Sequence, residues 1–220
     1  MVVRRHDLLR VDPATWTAML GCHPGLRDLP LVADWARRGW PVIVRRRMAG
    51  DTPDTVPAAL PLPPDHGKHR VAFSFPSDAG LLPLAPVRLC DAVRTAPEAW
   101  QTVIAKLFEL GEAIGAPPRV FGALLWQHVT ERPYLTARSD LDLLWSGVDG
   151  TSVRTLVAGL LRLDVDSPVR IDGEVELPDG SAFNWRELAE GSDDRTVLLK
   201  TMNGVELRAV AALFEGNASP

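Results

Sequence analysis

The chain has 220 residues, 46% of them hydrophobic, with 24 Lys and Arg against 28 Asp and Glu and a net charge of −4. That balance excludes a generic nucleic-acid binder, which needs a basic face, and no run nears the roughly 20 apolar residues of a membrane span. Cys22 and Cys90 have no metal-site spacing and no disulfide framework, and M-V-V-R-R-H-D lacks the apolar core of a secretory signal; the expected setting is cytoplasmic.

R-R-H-D-L-L at 4–9 predicts a short strand, at Val2-Val3 or Leu8-Leu9, beside the polar pair His6-Asp7. Asp12-Pro13 is an N-cap followed by a first-turn proline, so a helix is expected to about Leu20, ending at Gly21. A second helix is expected over Leu31–Arg38, closed by Gly39, and then a strand Val42–Arg47. Alternation would send Arg45 and Arg47 to one face of that strand, as a polyphosphate or acidic-partner contact or as a charged edge. Val56–Leu62 reads as a strand interrupted by prolines, and His69–Phe75 as another. Between them D-H-G-K-H-R puts Lys68 and Arg70 beside a glycine turn, as phosphate contacts or as a solvated turn. A Gly/Pro/Ser-containing stretch at 76–86 marks a boundary between a small α+β domain, 1–80, and a second domain, 81–220.

In the second part Arg88–Val93 is expected as a connecting strand and Pro97–Ile114 as an amphipathic helix. Val120-Phe121 end a strand, Gly122 turns the chain, and Leu124–Val129 form a short helix. The next strand, Asp140–Trp145, carries two acids. A helix covers Thr151–Leu163, and the following Asp164-Val165-Asp166 reads as a loop. In the strand 169–177, Val169, Ile171, Val175 and Leu177 share one face, while Arg170, Asp172, Glu174 and Glu176 share the other. Leu177–Ser181 is a hairpin turn, and Trp185–Glu190 a helical turn. Arg195–Lys200 is the last expected strand, pairing with the acidic one, and Val205–Phe214 a terminal helix.

The chemistry concentrates at 120–145. Residues two apart on a strand project together, so Asp140 and Asp142 stand about 6–7 Å apart on one face and can share a hard cation such as Mg²⁺. The glycine turn opening a helix beside them is a natural phosphate cradle. Cradle and carboxylates together are the equipment for phosphoryl or nucleotidyl transfer. Asp172 and Glu174 share the acidic face of the strand 169–177, and Lys200, at the end of the last strand, is a candidate phosphate contact or a solvated strand end.

Two resemblances attach to these residues. Gly-Ala, a gap, then Ser-Asp-x-Asp at 139–142 resembles the nucleotidyltransferase (polymerase-beta-like) superfamily. More narrowly, G-A-L-L-W-Q-H-V-T-E-R-P-Y-L-T-A-R-S-D-L-D-L-L-W is similar to the phosphoribosyl-dephospho-CoA transferases, the holo-acyl-carrier-protein synthases of malonate decarboxylase. The likeness extends to R-R-H-D-L-L, P-V-I-V-R-R-R at 41–47, L-P-P-D-H-G-K-H-R at 62–70, R-I-D-G-E-V at 170–175, L-P-D-G at 177–180 and W-R-E-L at 185–188, which is most of the chain. It implies an α+β fold: a nucleotidyltransferase-like mixed sheet with flanking helices, preceded by a small α+β domain. It also implies transfer of a prosthetic group from triphosphoribosyl-dephospho-CoA to a serine of the malonate decarboxylase acyl-carrier subunit, with release of pyrophosphate. Asp140, Asp142 and Asp172 would hold Mg²⁺, with Glu174 as the alternative third acid. Gly122, Ala123, Ser139, Lys68, Arg70 and Lys200 would contact the donor. The family's serine after the turn glycine is Ala123 here, which leaves backbone amides to make that contact. The competing readings are a citrate-lyase-type or other nucleotidyl acceptor, and a non-catalytic binder of nucleotide or carrier.

Overall fold

A computed structural model describes residues 2–67, 69–189 and 195–214. The chain forms two compact units, Met1–Pro86 and Val87–Pro220. Both mix helices with sheets, so the α+β class is as expected.

In the first unit the elements are β1 (Leu8–Arg10), α1 (Pro13–Gly21), α2 (Pro24–Arg27), α3 (Pro30–Ala33), β2 (Val42–Val44), β3 (Thr55–Pro61), β4 (Arg70–Pro76) and β5 (Leu82–Pro83). They build an antiparallel sheet in the order β4-β3-β2-β1-β5. Asp12 caps α1 as expected, accepting from the amides of Ala14 and Thr15 at 2.9 and 3.0 Å. Trp16 is buried on that helix, against Phe73 at 5.0 Å between rings, and its indole N–H donates to the Val32 carbonyl at 2.7 Å. A large apolar body with a satisfied polar tip is what a buried tryptophan requires.

The expected helix Leu31–Arg38 is only the short α3, continued by hydrogen-bonded turns to Gly39. The reason is Trp35, fully buried, whose indole N–H donates to the Pro41 carbonyl at 2.8 Å and pulls the chain round on itself. β2 stops at Val44, so Arg45 and Arg47 do not alternate on a strand. Arg45 turns inward, pairing with Asp51 at 2.6 Å and donating to the Phe73 carbonyl at 3.2 Å. Arg47 donates to the carbonyls of Thr52 and Thr55 at 2.5 and 2.9 Å. Both guanidiniums brace the loop after β2.

The Arg45 hydrogen bonds hold the Asp51 carboxyl well below the usual carboxylate range, opposed by burial and helped by Ser74. A depressed folded-state pKa adds stability above the unfolded value, near 3.9, and that stability is lost as pH falls below it. Asp51→Ala leaves a mostly buried guanidinium unpaired, so a loss of about 3 kcal/mol is expected at pH 7. Urea midpoints at pH 7 and pH 3 check this: the gap between variant and wild type should narrow at the lower pH.

The second unit runs α4 (Leu89–Ala92), α5 (Gln101–Ala113), β6 (Arg119–Val120), α6 (Gly122–Thr130), β7 (Leu141–Ser146), α7 (Ser152–Val165), β8 (Ile171–Glu176), β9 (Ala182–Asn184), α8 (Arg186–Ala189), β10 (Thr196–Lys200) and β11 (Val205–Ala209). Its six-stranded sheet has the order β11-β10-β9-β8-β7-β6. Only β7 and β8 are parallel, joined through α7 as a parallel pair requires. The buried row Leu141, Leu143, Trp145, Ile171 and Val175 faces the core.

Four expectations fail here. Arg88–Val93 is the short helix α4 rather than a strand, with the Asp91 carboxylate accepting from the Arg88 amide at 3.3 Å and pairing with its guanidinium at 3.1 Å at the helix start. Asp164 is inside α7 rather than in a loop: its carboxylate accepts from the Ile171 amide at 3.0 Å and pairs with Arg186 at 2.8 Å, fastening the helix end to β8. β10 pairs with β9 and β11, not with the acidic strand. The expected terminal helix is β11 followed by one 3₁₀ turn, Val210–Leu213. Asn203-Gly204 is a hairpin signal, and V-E-L-R-A alternates with a period of two rather than 3.6.

Candidate active site

The parallel ladder sets Asp142 of β7 directly opposite Asp172 of β8. Residues in register on neighbouring strands project to the same face, with strands about 4.8 Å apart. This cross-strand pair is tighter than the along-strand pair read from sequence. Asp140 lies just before β7, its carboxylate 3.3 Å from Arg170. It lines a cleft of about 570 Å³ with Trp100, Arg138, Ser139 and Arg170.

Gly122 brings the helix to the carboxylates. The Phe121 amide donates to the Asp142 carbonyl at 3.1 Å, pinning the chain against β7 just before α6. Gly122 has φ +63°, and a Cβ there would lie 1.8 Å from Asp142 Oδ2. The Asp142 carboxylate therefore occupies the space a side chain at 122 would take. The N-cap residue of α6, Phe121, has no side-chain acceptor, and the helix start stands beside the Asp142 carboxylate. The helix starts at Gly122 itself, two residues earlier than expected.

Asp172 is held from two sides: its Oδ1 accepts from the Gly173 amide and from Asn184 Nδ2, both at 2.8 Å. Gly173 permits this packing, because a Cβ there would lie 2.3 Å from the Leu143 carbonyl oxygen of the adjacent strand. Asn184 is a site residue that sequence reading missed. The signal was present: the hairpin at Leu177–Ser181 places Asn184 opposite Glu174, a polar residue inside the apolar A-F-N-W.

Glu174 is buried and pairs with Lys200 at 2.6 Å. Next to it Glu176 is buried, accepting from Arg119 at 2.7 Å and Ser146 at 2.6 Å. The acidic row of β8 is thus divided, with Asp172 beside Asp142 and the two glutamates in ion pairs. Ser139 caps the turn before Asp140, its Oγ accepting from the Thr136 amide at 2.9 Å. Ala123 is in the first turn of α6. Arg70 opens β4 in the first unit and is exposed. Lys68 lies outside the described residues.

Among the described residues no three His, Cys, Asp or Glu side chains gather as a metal cluster, so Asp140, Asp142 and Asp172 do not form a three-ligand set here. Magnesium, however, is commonly held by one or two carboxylates with substrate phosphates completing its octahedron. An in-register Asp142–Asp172 pair next to the start of α6 fits that mode.

Family models match both parts of the chain: the phosphoribosyl-dephospho-CoA transferase MdcG C-terminal domain over residues 88–211 and its N-terminal domain over residues 4–79. A phosphoribosyl-dephospho-CoA transferase of Bradyrhizobium diazoefficiens is 37% identical over 203 residues, 92% of this chain and 88% of the relative. One from Xanthomonas campestris pv. campestris is 36% identical over 212 residues, 96% of each chain. The chain belongs to the phosphoribosyl-dephospho-CoA transferase family. No solved structure matches it. Within this transferase family the C-terminal match covers every element of the carboxylate face, from α4 to β11. No helix among the described residues is long and apolar enough to cross a membrane.

Proposed function

We propose that the protein transfers a phosphoribosyl-dephospho-CoA group from triphosphoribosyl-dephospho-CoA to a serine of the malonate decarboxylase acyl-carrier subunit. The observation that carries this reading is the Asp142–Asp172 pair, in register and adjoining the N-terminus of α6 at Gly122. It resembles the constellation of a polymerase-beta-like nucleotidyltransferase, and the relatives' names supply the transferred group.

In the proposed reaction the serine Oγ–phosphorus bond forms as the bond to pyrophosphate breaks. The hydroxyl proton leaves through Asp172, whose orientation Asn184 and the Gly173 amide fix. The α6 amides after Gly122 hold the outer phosphates, where a helix N-terminus favours negative charge. Asp142 and Asp172 would hold Mg²⁺, which when bound supplies Lewis-acid charge at the attacked phosphorus and the leaving group. Asp140 and Arg170 lie at the mouth of the adjoining cleft and are placed to meet the donor's organic part. Glu174 and Lys200 serve as an ion pair that stiffens the site rather than as ligands.

The test is the intact mass of the carrier subunit after incubation with this protein, Mg²⁺ and the donor. A gain equal to the prosthetic group is expected, with release of pyrophosphate. Labelling of the citrate lyase carrier instead would change the acceptor and keep the chemistry. Labelling of neither would overturn the proposal.

A further inference from the structure

We infer that β11 is a self-complementary edge through which two copies of this chain associate, continuing the six-stranded sheet of one copy antiparallel into that of the other. The inference concerns the edge of the sheet and stands apart from the transfer reaction. β11 ends the sheet order, and among the described residues no strand pairs with its outer side.

The phase of the hairpin fixes which groups point outward. The Thr201 amide donates to Gly204 and the Val210 amide to Arg195, so residues 201/204 and 195/210 are hydrogen-bonded pairs. Such pairs alternate with non-bonded ones along an antiparallel ladder. Leu198/Leu207, Thr196/Ala209 and Lys200/Val205 are therefore non-bonded pairs. Leu198 confirms the phase: its amide turns away from β11 and donates to Glu187 at 2.6 Å. The backbone amides and carbonyls of Val205, Leu207 and Ala209 accordingly face the open edge.

An antiparallel pairing centred on Leu207 uses all of these groups. Leu207 meets Leu207 of the partner subunit, and Val205 meets Ala209 of the partner subunit, both as hydrogen-bonded pairs. Between them Glu206 falls opposite Arg208 of the partner subunit, as a non-bonded pair. Non-bonded pairs bring side chains closest, with Cα atoms about 4.5 Å apart, so opposite charges meet at the tightest point. Within one chain Arg208 already bonds Glu206 and stands 3.7 Å from Asp179, so the pairing makes an alternating row of Glu206 and Arg208 charges with an Asp179 beside each arginine. The side chains on the opposite face are apolar: Leu207 is 72% exposed, Val205 50% and Leu198 38%. Natural edges are usually guarded by charges of one sign, above all lysine, or by proline or a bulge; V-E-L-R-A has no lysine, proline or glycine, and its two charges, Glu206 and Arg208, are of opposite sign and so complement a second copy instead of repelling it. A C₂ pair requires each patch to complement itself, and this five-residue strand does.

A single strand pair buries little surface, so the association is weak and depends on concentration. Sedimentation velocity of the full chain, between roughly 5 and 500 µM, should show the mass rising from 24.0 kDa toward twice that value. Leu207→Pro removes an outward amide that the hairpin does not use, so the variant should fold, by circular dichroism, and remain monomeric. Glu206→Arg and Arg208→Glu should each weaken association at least tenfold, and the double swap should restore it. A wild-type chain that stays monomeric throughout overturns the inference. So does association that Leu207→Pro leaves intact, or a folded double swap that stays as weak as either single change.

Discussion

Asp142→Asn is expected to lose transfer by roughly 10³-fold, about 4 kcal/mol of transition-state stabilisation, while the protein stays folded. Two opposing effects set the stability. Asp142 lies against the N-terminus of α6, where a negative charge contributes about 0.3–1 kcal/mol. It also faces Asp172 across the parallel pair. Like charges about 5 Å apart repel by about 1 kcal/mol at the dielectric of water and by about 3 kcal/mol at an effective dielectric of 20. The repulsion matches or exceeds the helix term. The variant should therefore melt at or slightly above the wild-type temperature without metal, and added Mg²⁺ should raise the wild type more than the variant. Stability gained while activity is lost is the signature of a charge kept for function. Retention of transfer within tenfold, measured by intact mass of the carrier, would remove Asp142 from the mechanism.

Sequence alone revealed the D-x-D strand, the glycine turn before α6, the acidic row of β8 and the hairpin after it. Each depends on short-range pattern, either period-two alternation or a residue with one special conformation. What sequence did not reveal was partnership. Asp140 and Asp142 looked like the pair because they are two residues apart, yet the parallel ladder makes Asp172 the neighbour of Asp142. Sequence favours Asp172 over Glu174 only slightly as the third acid. Only the position of Lys200, on a strand one removed from β8, assigns Glu174 to an ion pair. Arg45 and Arg47 read as a basic face because alternation continues past Val44, where the strand ends. Long side chains meet buried carbonyls and an acid only after the loop folds back. The missed β11 is a different failure. Its apolar residues fit a helical stripe and a strand about equally in so short a window, and Asn203-Gly204 was the deciding signal.

Gly122→Ala is expected to be the most damaging change that alters no charge. At φ +63° an L-residue costs about 1–2 kcal/mol. The new methyl would also have to occupy the space held by Asp142 Oδ2, 1.8 Å away. The clashing atoms all belong to the half-buried Asp142 side chain, so relief comes at the expense of the carboxylate's position. Either the Asp142 carboxylate rotates away from Asp172, or the first turn of α6 moves off β7, and both separate the α6 amides from the acids. A displacement of about 1 Å at a reacting centre costs on the order of 10²-fold in rate. Thermal unfolding should report a loss of about 1–3 kcal/mol, and transfer should fall further than that loss explains at a temperature where the variant is fully folded. The two readouts separate the causes. A variant that is destabilised but transfers normally would mean that Gly122 serves only the turn, and that the α6 amides do not hold the donor's phosphates. A variant of normal stability and normal rate would mean that the Asp142 carboxylate does not stand against the helix start in the working enzyme.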